Sequence, residues 1–259
     1  MALLNTPRGV FNVAIDGRRD APALMLSNSL GTTLDMWAPQ IAVLGEHFSL
    51  VRYDNRGHAG SVATPGPYRI TELAADAIAI LDVLEMPQVN FCGLSMGGMI
   101  GLCLGLHAPA RINRLVISNS AAQIAPAQLW DERIAMVQRH GMASIADGVA
   151  QRWFTADYIS REPDAVDAIK RMIIDTPLAG YVSCCAAVRD FDVRNTMGEI
   201  KLPVMVIAGE ADPATPPHLT QQISQSIAGS RFELLPAAHL SNIECRDAFN
   251  RVLADFLKS

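Results

Sequence analysis

Ser95 occupies a position in this sequence where a serine can act as a nucleophile. It is central in Gly93-Leu94-Ser95-Met96-Gly97, a string that follows an apolar run and opens a helix-like stretch. On such a strand-to-helix turn the hydroxyl stands above the edge of a sheet, and small flanking residues let the strand and the helix approach closely. The hydroxyl also needs a histidine base and a carboxylate that orients the base. The pattern predicts acyl transfer through a covalent intermediate on Ser95.

The base is expected near the C-terminus, because in this arrangement the chain order is serine, acid, histidine. Of the six histidines, only His218 and His239 come after Pro203, where the strand-like pattern resumes. His218 follows Pro216-Pro217, where a helix starts, whereas His239 lies in a loop directly after the strand-like run Phe232–Leu235. We therefore predict His239 as the base; a surface histidine with no catalytic role is the alternative.

The acid should follow an earlier strand. The apolar run Val204–Ala208 leads into Gly209-Glu210-Ala211-Asp212-Pro213, and Asp212 fits the sharp loop. Glu210 is the competing carboxylate, but we expect its side chain to be solvated or hydrogen-bonded to the backbone. The loop after the preceding strand, residues 119–123, contains no acid. Asp212 is thus the predicted orienting carboxylate.

Two backbone N–H groups are expected to bind the oxyanion that forms when a carbonyl is attacked. One belongs to Met96, directly after the nucleophile, and the other to Leu30, in the loop after the run Ala23–Ser27. A further polar loop, residues 54–58, also follows a strand-like run. Its charged side chains are predicted to be structural, because the triad is complete without them.

Short β-rich runs alternate with helix-like stretches, which is typical of a mostly parallel sheet covered by helices on both faces. The predicted strands are Val10–Ile15, Ala23–Ser27, Ser49–Tyr53, Val89–Cys92, Leu115–Ser118, Val204–Ala208 and Phe232–Leu235, and the predicted helices of this core include Thr71–Glu85, with a Thr cap, and Ser241–Leu257. The alternation stops between about residues 121 and 192. Strand signals are missing there, and the predicted helices are Ala127–His140, Met142–Trp153, Pro163–Thr176 and Leu178–Arg189. We expect an α/β core, residues 1–120 and 193–259, with an inserted helical lid, residues 121–192.

Composition restricts the classes of partner. Half of the 259 residues are hydrophobic and the formal net charge is −5 without basic clusters, so nucleic acid and anionic membranes are poor partners. Residues 91–108 are largely apolar, with a glycine at every fourth position from 93 to 105. We interpret them as a buried helix rather than a membrane span.

The five cysteines show no metal-ligand spacing and are expected to be free thiols in a reducing cytosol. Residues 1–12 show no signal peptide, and the sequence does not indicate an oligomeric state.

The chain resembles the 3-oxoadipate enol-lactonases of aromatic degradation over nearly its whole length. The core motifs 27–32, 92–101, 212–217 and 238–244 would fit many hydrolases of the α/β-hydrolase fold; the strings Trp130-Asp131-Glu132-Arg133-Ile134, Gly180-Tyr181 and Cys184-Cys185 point to the lactonases. The resemblance implies Ser95, Asp212 and His239 as the triad, Leu30 and Met96 as oxyanion donors, and no cofactor or metal. The chain differs from many members of the wider superfamily, because it has Asn28-Ser29 where they carry His-Gly.

The implied substrate is a small anionic lactone, for which an acidic protein needs a local cation. The predicted lid contains Arg133, Arg139, Arg152, Arg161, Lys170, Arg171 and Arg189. Arg133 lies three residues after Trp130 and so shares a helix face with a large apolar ring. We predict that Trp130 and Arg133 bind the substrate; an exposed surface arginine is the alternative.

The sequence is compatible with other functions. A carboxylesterase, a carbon–carbon bond hydrolase or a cofactor-free haloperoxidase would use the same triad, and a ligand receptor could use the same fold without catalysis. Epoxide hydrolases and haloalkane dehalogenases are disfavoured, because they carry Asp where this chain has Ser95.

Overall fold

The computed structural model describes residues 2–124 and 126–259, so Met1 and Ala125, which fall inside the predicted core and lid ranges, lie outside the described residues. The strands are β1 Ala2–Thr6, β2 Gly9–Gly17, β3 Ala23–Ser27, β4 Ser49–Tyr53, β5 Val89–Leu94, β6 Ile112–Ser118, β7 Val204–Gly209 and β8 Arg231–Leu235. They form one sheet in the order β1-β2-β4-β3-β5-β6-β7-β8. Pairing is parallel from β4 to β8, while β1 with β2 and β2 with β4 are antiparallel.

The predicted fold class, a mostly parallel sheet flanked by helices, is confirmed. Strands β4, β5 and β7 are buried at every residue, which explains why their apolar runs were continuous rather than alternating. Strand β1 was not predicted. It lies at the sheet edge with its residues largely exposed, so it lacks the apolar pattern of a central strand.

The helices are α1 Ala38–Leu44, α2 Ile70–Val83, α3 Met96–His107, α4 Ala127–His140, α5 Ala143–Trp153, α6 Ala156–Arg161, α7 Pro163–Asp175, α8 Leu178–Arg189, α9 Pro217–Ser226, α10 Ser241–Glu244 and α11 Arg246–Lys258. Helices α4 and α8 have the predicted bounds, and α5 and α7 differ from them by one residue. The short helices α1 and α6 were not predicted.

Two predictions about helix ends were wrong. Helix α2 does not begin at a Thr cap: it starts one residue before Thr71, and the Glu72 carboxylate accepts a hydrogen bond from the Arg69 N–H at 2.8 Å. The C-terminal helix is not continuous. It breaks into α10 and α11 at Cys245, whose backbone has φ −115° and ψ 43°, outside the helical region.

Five helices, α4 to α8, lie between β6 and β7 in the chain, and the described residues of 121–192 contain no strand. Helix α3 packs on the sheet through its glycines, as predicted for a buried helix. A Cβ at Gly101 would lie 3.0 Å from side chains of β6, and one at Gly105 would lie 3.2 Å from Leu115. Among the described residues, no helix is both long and apolar enough to cross a membrane.

Candidate active site

Ser95 stands on the sharp turn between β5 and α3. Its φ of 58° and ψ of −116° are strained for a residue with a side chain. A Cβ at Gly93 would lie 2.0 Å from the carbonyl oxygen of Gly97, and one at Gly97 would lie 2.2 Å from that of Ser27. Only glycine fits at these two positions, because the helix backbone presses against two strands. The close approach holds the half-buried Ser95 at the floor of a cavity.

Asp212 and His239 lie side by side at the same edge of the sheet. His239 Nδ1 is 2.8 Å from Asp212 Oδ2, and both side chains are buried. The other carboxylate oxygen, Oδ1, accepts hydrogen bonds from the N–H groups of Ala214 and Thr215, at 2.8 and 2.9 Å. Oδ2 also accepts from Thr215 Oγ1 at 2.7 Å and from Asn119 Nδ2 at 3.0 Å. The carboxylate is therefore fixed from both sides.

These contacts also keep Asp212 ionised. Burial would raise the pKa of its carboxyl, but the charge of His239, the hydrogen bonds from His239 and Asn119, and that from the Thr215 N–H outweigh burial and hold the pKa below its usual value. An ionised Asp212 can stabilise a protonated imidazole at His239 and fix its orientation.

The loop that carries His239 is attached to the inserted helices. The Glu244 carboxylate accepts a hydrogen bond from the Ala238 N–H at 2.9 Å and others from the N–H and hydroxyl of Thr155 at the start of α6. The Leu240 N–H donates to the carbonyl oxygen of Trp153 at 3.0 Å, and the Trp153 ring centroid lies 5.8 Å from that of His239. The imidazole is thus held on one side by the core and on the other by α5.

The two predicted oxyanion donors are free. Neither the Leu30 N–H nor the Met96 N–H donates a hydrogen bond within residues 2–124 and 126–259. Met96 is the first residue of α3, where the helix dipole favours negative charge. We name residues 28–31, the loop that contains the predicted oxyanion donor Leu30, the oxyanion loop. Its Gly31 N–H donates to His58 Nε2 at 2.9 Å, so the predicted structural role of the 54–58 loop includes support of this loop.

Asn28 and Ser29, the departure from the superfamily pattern, have different surroundings. The Asn28 side chain accepts from Trp37 Nε1 at 3.0 Å and donates to the carbonyl oxygen of Tyr53 at 2.8 Å, which anchors the loop to the core. Ser29 instead lines the cavity that contains Ser95.

The cavity has a volume of about 170 Å³ and lies between the core and the inserted helices. The core supplies Ser29, Leu30, Ser95, Pro213, Ala214, Thr215 and His239, and the inserted segment supplies Ile124, Leu129, Trp130, Arg133, Arg152, Trp153 and Tyr181. Ser95 and His239 share this cavity, although among the described residues no hydrogen bond joins their side chains. Such bonds are often long before substrate binds.

Two of the seven candidate cations of the predicted lid line this cavity. Arg133, the predicted one, lies with its Cζ 5.1 Å from the Trp130 ring centroid. Arg152, which the sequence did not single out, comes from α5. Within the described part of the chain neither guanidinium has a carboxylate within 4.0 Å, whereas Arg189 is paired with Asp131 at 2.6 Å.

The two guanidiniums lie close enough to repel each other. Partial burial lowers the pKa of Arg152, and the positive charge of Arg133 lowers it further. Burial raises the pKa of the Tyr181 hydroxyl, and Arg133 beside it partly opposes the rise. An unpaired positive field on one wall of the cavity is favourable for an anion.

The sequence analysis assigned no functional role to five residues of the site: Ser29, Asn119, Arg152, Trp153 and Thr215. Asn119 and Thr215 follow strands, and an inspection of all polar residues after strands would have found them.

The described residues contain no group of three or more His, Cys, Asp or Glu placed to hold a metal ion. All five cysteines are free thiols.

Residues 22–244 match the alpha/beta hydrolase fold family, and the chain belongs to that family. Within it, the chain is similar to 3-oxoadipate enol-lactonase 2 of Acinetobacter baylyi, at 42% identity over 96% of this chain and 93% of the relative. It is 35% identical to 3-oxoadipate enol-lactonase 1 of the same organism, over 99% of this chain and 96% of the relative. The crystal structure of the enol-lactonase from Burkholderia xenovorans LB400 superposes with a TM-score of 0.98 at 42% identity over the whole of both chains. The resemblance predicted from the motifs is confirmed.

Proposed function

We propose that this protein is an ester hydrolase that opens the ring of 3-oxoadipate enol-lactone to give 3-oxoadipate, as the names of its enol-lactonase relatives state for them. One observation carries the proposal: a single cavity contains Ser95 and His239 together with Arg133 and Arg152, two cations without carboxylate partners among the described residues. The proposed substrate has both features that this cavity would recognise, a reactive ester carbonyl and a separate carboxylate.

In the first half of the reaction, Ser95 Oγ forms a bond to the lactone carbonyl carbon while its proton passes to His239 Nε2. The carbonyl oxygen becomes an oxyanion and accepts hydrogen bonds from the free N–H groups of Leu30 and Met96. Asp212 stabilises the imidazolium through the 2.8 Å contact with Nδ1. The carbon–oxygen bond of the ring then breaks, and the ring oxygen leaves as an enolate that takes the proton back from His239 and becomes the ketone.

In the second half, water attacks the acyl carbon and gives a proton to His239. The bond to Ser95 Oγ breaks, the serine recovers its proton, and the acid is released. The enolate is a far better leaving group than a simple alkoxide, so ring opening needs no metal ion or cofactor.

The carboxylate of the substrate is bound, in this proposal, by Arg133 and Arg152, and the ring packs against Trp130. Arginine suits this role because its planar donors bind a carboxylate in a bidentate way. Helices α4 to α8 then act as a lid, residues 121–192, which brings these cations over the α/β core. Water excluded by the lid would strengthen the charge-assisted hydrogen bonds.

The test compares an anionic and an uncharged substrate. Arg133→Leu is expected to lower kcat/KM for the enol lactone by about 10- to 100-fold, equivalent to a charge-assisted contact of roughly 1.5–3 kcal/mol. Hydrolysis of p-nitrophenyl acetate, which carries no charge, should change little. Arg139→Leu is the matched control, because Arg139 is an exposed residue of the same helix and does not line the cavity.

Each other outcome has a definite meaning. Equal losses on both substrates would indicate a collapsed lid, and no loss would place Arg133 at the surface without a function. If the wild-type protein hydrolysed p-nitrophenyl acetate but not the lactone, the proposed substrate would be wrong, and a screen of esters and ring-cleavage products would follow. Failure of a fluorophosphonate to label Ser95 would favour a non-catalytic binding protein.

A further inference from the structure

Ser29 has a buried hydroxyl for which the protein provides no partner. The residue is 1% exposed, and its Oγ makes no hydrogen bond to any of the described residues. The backbone of Ser29 is satisfied: its N–H contacts Met36 Sδ at 3.3 Å, and its carbonyl oxygen accepts from Thr32 Oγ1 at 2.8 Å. Buried hydroxyl groups nearly always have a partner, so a hydroxyl without one in the protein is available to a molecule that enters the cavity.

Its position distinguishes Ser29 from the other unpartnered groups. Among the described residues, two more buried side-chain atoms lack a hydrogen bond, Asn55 Oδ1 and Asn242 Oδ1. Both are acceptors, and neither residue lines the cavity. Ser29 offers an O–H donor and lines the cavity with Ser95 and His239, next to Leu30 in the oxyanion loop. Of the three residues, only Ser29 therefore combines an unpartnered hydrogen-bond donor with a place in the wall of this cavity.

We propose that Ser29 Oγ donates a third hydrogen bond to the oxyanion, beside the N–H groups of Leu30 and Met96. This inference rests on the proposed attack of Ser95 on a carbonyl, and it does not depend on which ester carries that carbonyl. A planar carbonyl oxygen has two lone pairs, whereas the tetrahedral oxyanion has three. The third donor becomes fully engaged only in the transition state, so its contribution appears in kcat.

The carboxylate of the substrate is a poorer partner for this hydroxyl. Arg133 and Arg152 belong to α4 and α5 on the lid side of the cavity, whereas Ser29 belongs to the core side. A carboxylate bound by the two guanidiniums lies away from the scissile bond, while the oxyanion is adjacent to the oxyanion loop. We therefore expect the carboxylate and the oxyanion of the substrate to bind to residues from different parts of the cavity lining.

The test is Ser29→Ala, measured on the enol lactone and on p-nitrophenyl acetate. Loss of one of three donors is expected to lower kcat by about 10- to 100-fold on both substrates and to leave KM nearly unchanged. The affinity for a boronic acid that adds to Ser95 should fall by a similar factor, because its tetrahedral boronate imitates the oxyanion. The melting temperature should stay the same or rise, because the substitution removes a buried group that has no partner in the protein.

Ser183→Ala is the matched control. Ser183 is also buried, but its hydroxyl already donates to the carbonyl oxygen of Ala179 at 2.7 Å and lies outside the cavity. This variant should keep wild-type kinetics.

Four results would overturn the inference: no change in kcat, a loss confined to KM for the anionic lactone, a loss much smaller on p-nitrophenyl acetate, or a loss accompanied by a large drop in melting temperature. The second would assign Ser29 to the carboxylate, the third to the leaving oxygen, and the fourth to the fold. A wild-type protein that is inactive on the lactone would refute the proposed substrate. The role of Ser29 could then still be tested with p-nitrophenyl acetate, because this ester also forms an oxyanion but has no carboxylate.

Discussion

We predict that acid destabilises the fold through His58, whose imidazole supports the oxyanion loop. It is completely buried, its Nε2 accepts from the Gly31 N–H, and its Nδ1 lies 3.2 Å from the carbonyl oxygen of Arg56, to which it donates. Burial lowers the pKa of His58 from 6.5 to about 4, and the hydrogen bond to Arg56 opposes this only in part. Protonation would place an N–H on Nε2 against the N–H of Gly31 and break the contact.

The size of the effect follows from the two pKa values. Below about pH 6.5 the unfolded chain binds a proton at His58 that the folded protein excludes, so the free energy of unfolding decreases as the pH falls from about 6.5 towards 4. Since a tenfold change in an equilibrium constant is about 1.4 kcal/mol, the decrease caused by His58 reaches about 3 kcal/mol near pH 4.

Urea unfolding of the wild type and His58→Asn, near pH 7.5 and near pH 4.5, measures this contribution. The variant is expected to be less stable near neutral pH, because it lacks the packing of the ring, but to lose about 2.5 kcal/mol less than the wild type on acidification. The exposed His140→Asn is the control and should keep the wild-type difference, because it leaves the buried His58 and its hydrogen bonds unchanged. Equal acid losses in the wild type and His58→Asn would refute the reasoning.

Three further predictions concern the proposed catalytic residues and the turn that carries Ser95. Ser95→Ala and His239→Ala should each lower kcat by several orders of magnitude and the double variant by little more, because the pair acts as a unit; multiplied losses in steady-state kinetics would contradict this. Asp212→Asn should be severe but less damaging than either, and near-normal kcat would mean that another group orients His239. Gly97→Ala should abolish soluble folded protein or strongly lower its melting temperature, because its Cβ would lie 2.2 Å from a backbone oxygen. Gly148→Ala is the control: this residue lies inside α5, and a Cβ there would have nothing within 4 Å. It should raise the melting temperature, because alanine stabilises a helix by up to about 1 kcal/mol relative to glycine. A tolerated Gly97→Ala would show that strand and helix can separate at the turn.

Local sequence patterns determined the architecture and the residues proposed for chemistry. Continuous apolar runs identified β3 to β7, because central parallel strands are buried on both faces. The chain order of serine, acid and histidine selected Ser95, Asp212 and His239. The structure places Asp212 in contact with His239 and places His239 in one cavity with Ser95. A strand and its following loop can be read from neighbours in sequence, so these features did not require knowledge of the packing.

Tertiary structure alone decided what surrounds those residues. Arg133 could be chosen from its helical spacing to Trp130, but Arg152 reaches the same cavity from a different helix, and no spacing links the two. Asn119 and Asp212 are 93 residues apart and meet because β6 and β7 are neighbours in the sheet. The orphan hydroxyl of Ser29 is likewise invisible in the sequence, because burial without a partner is a property of the assembled surroundings and not of the residue. Contacts of this kind depend on how separate elements pack, and that information is spread over the whole chain.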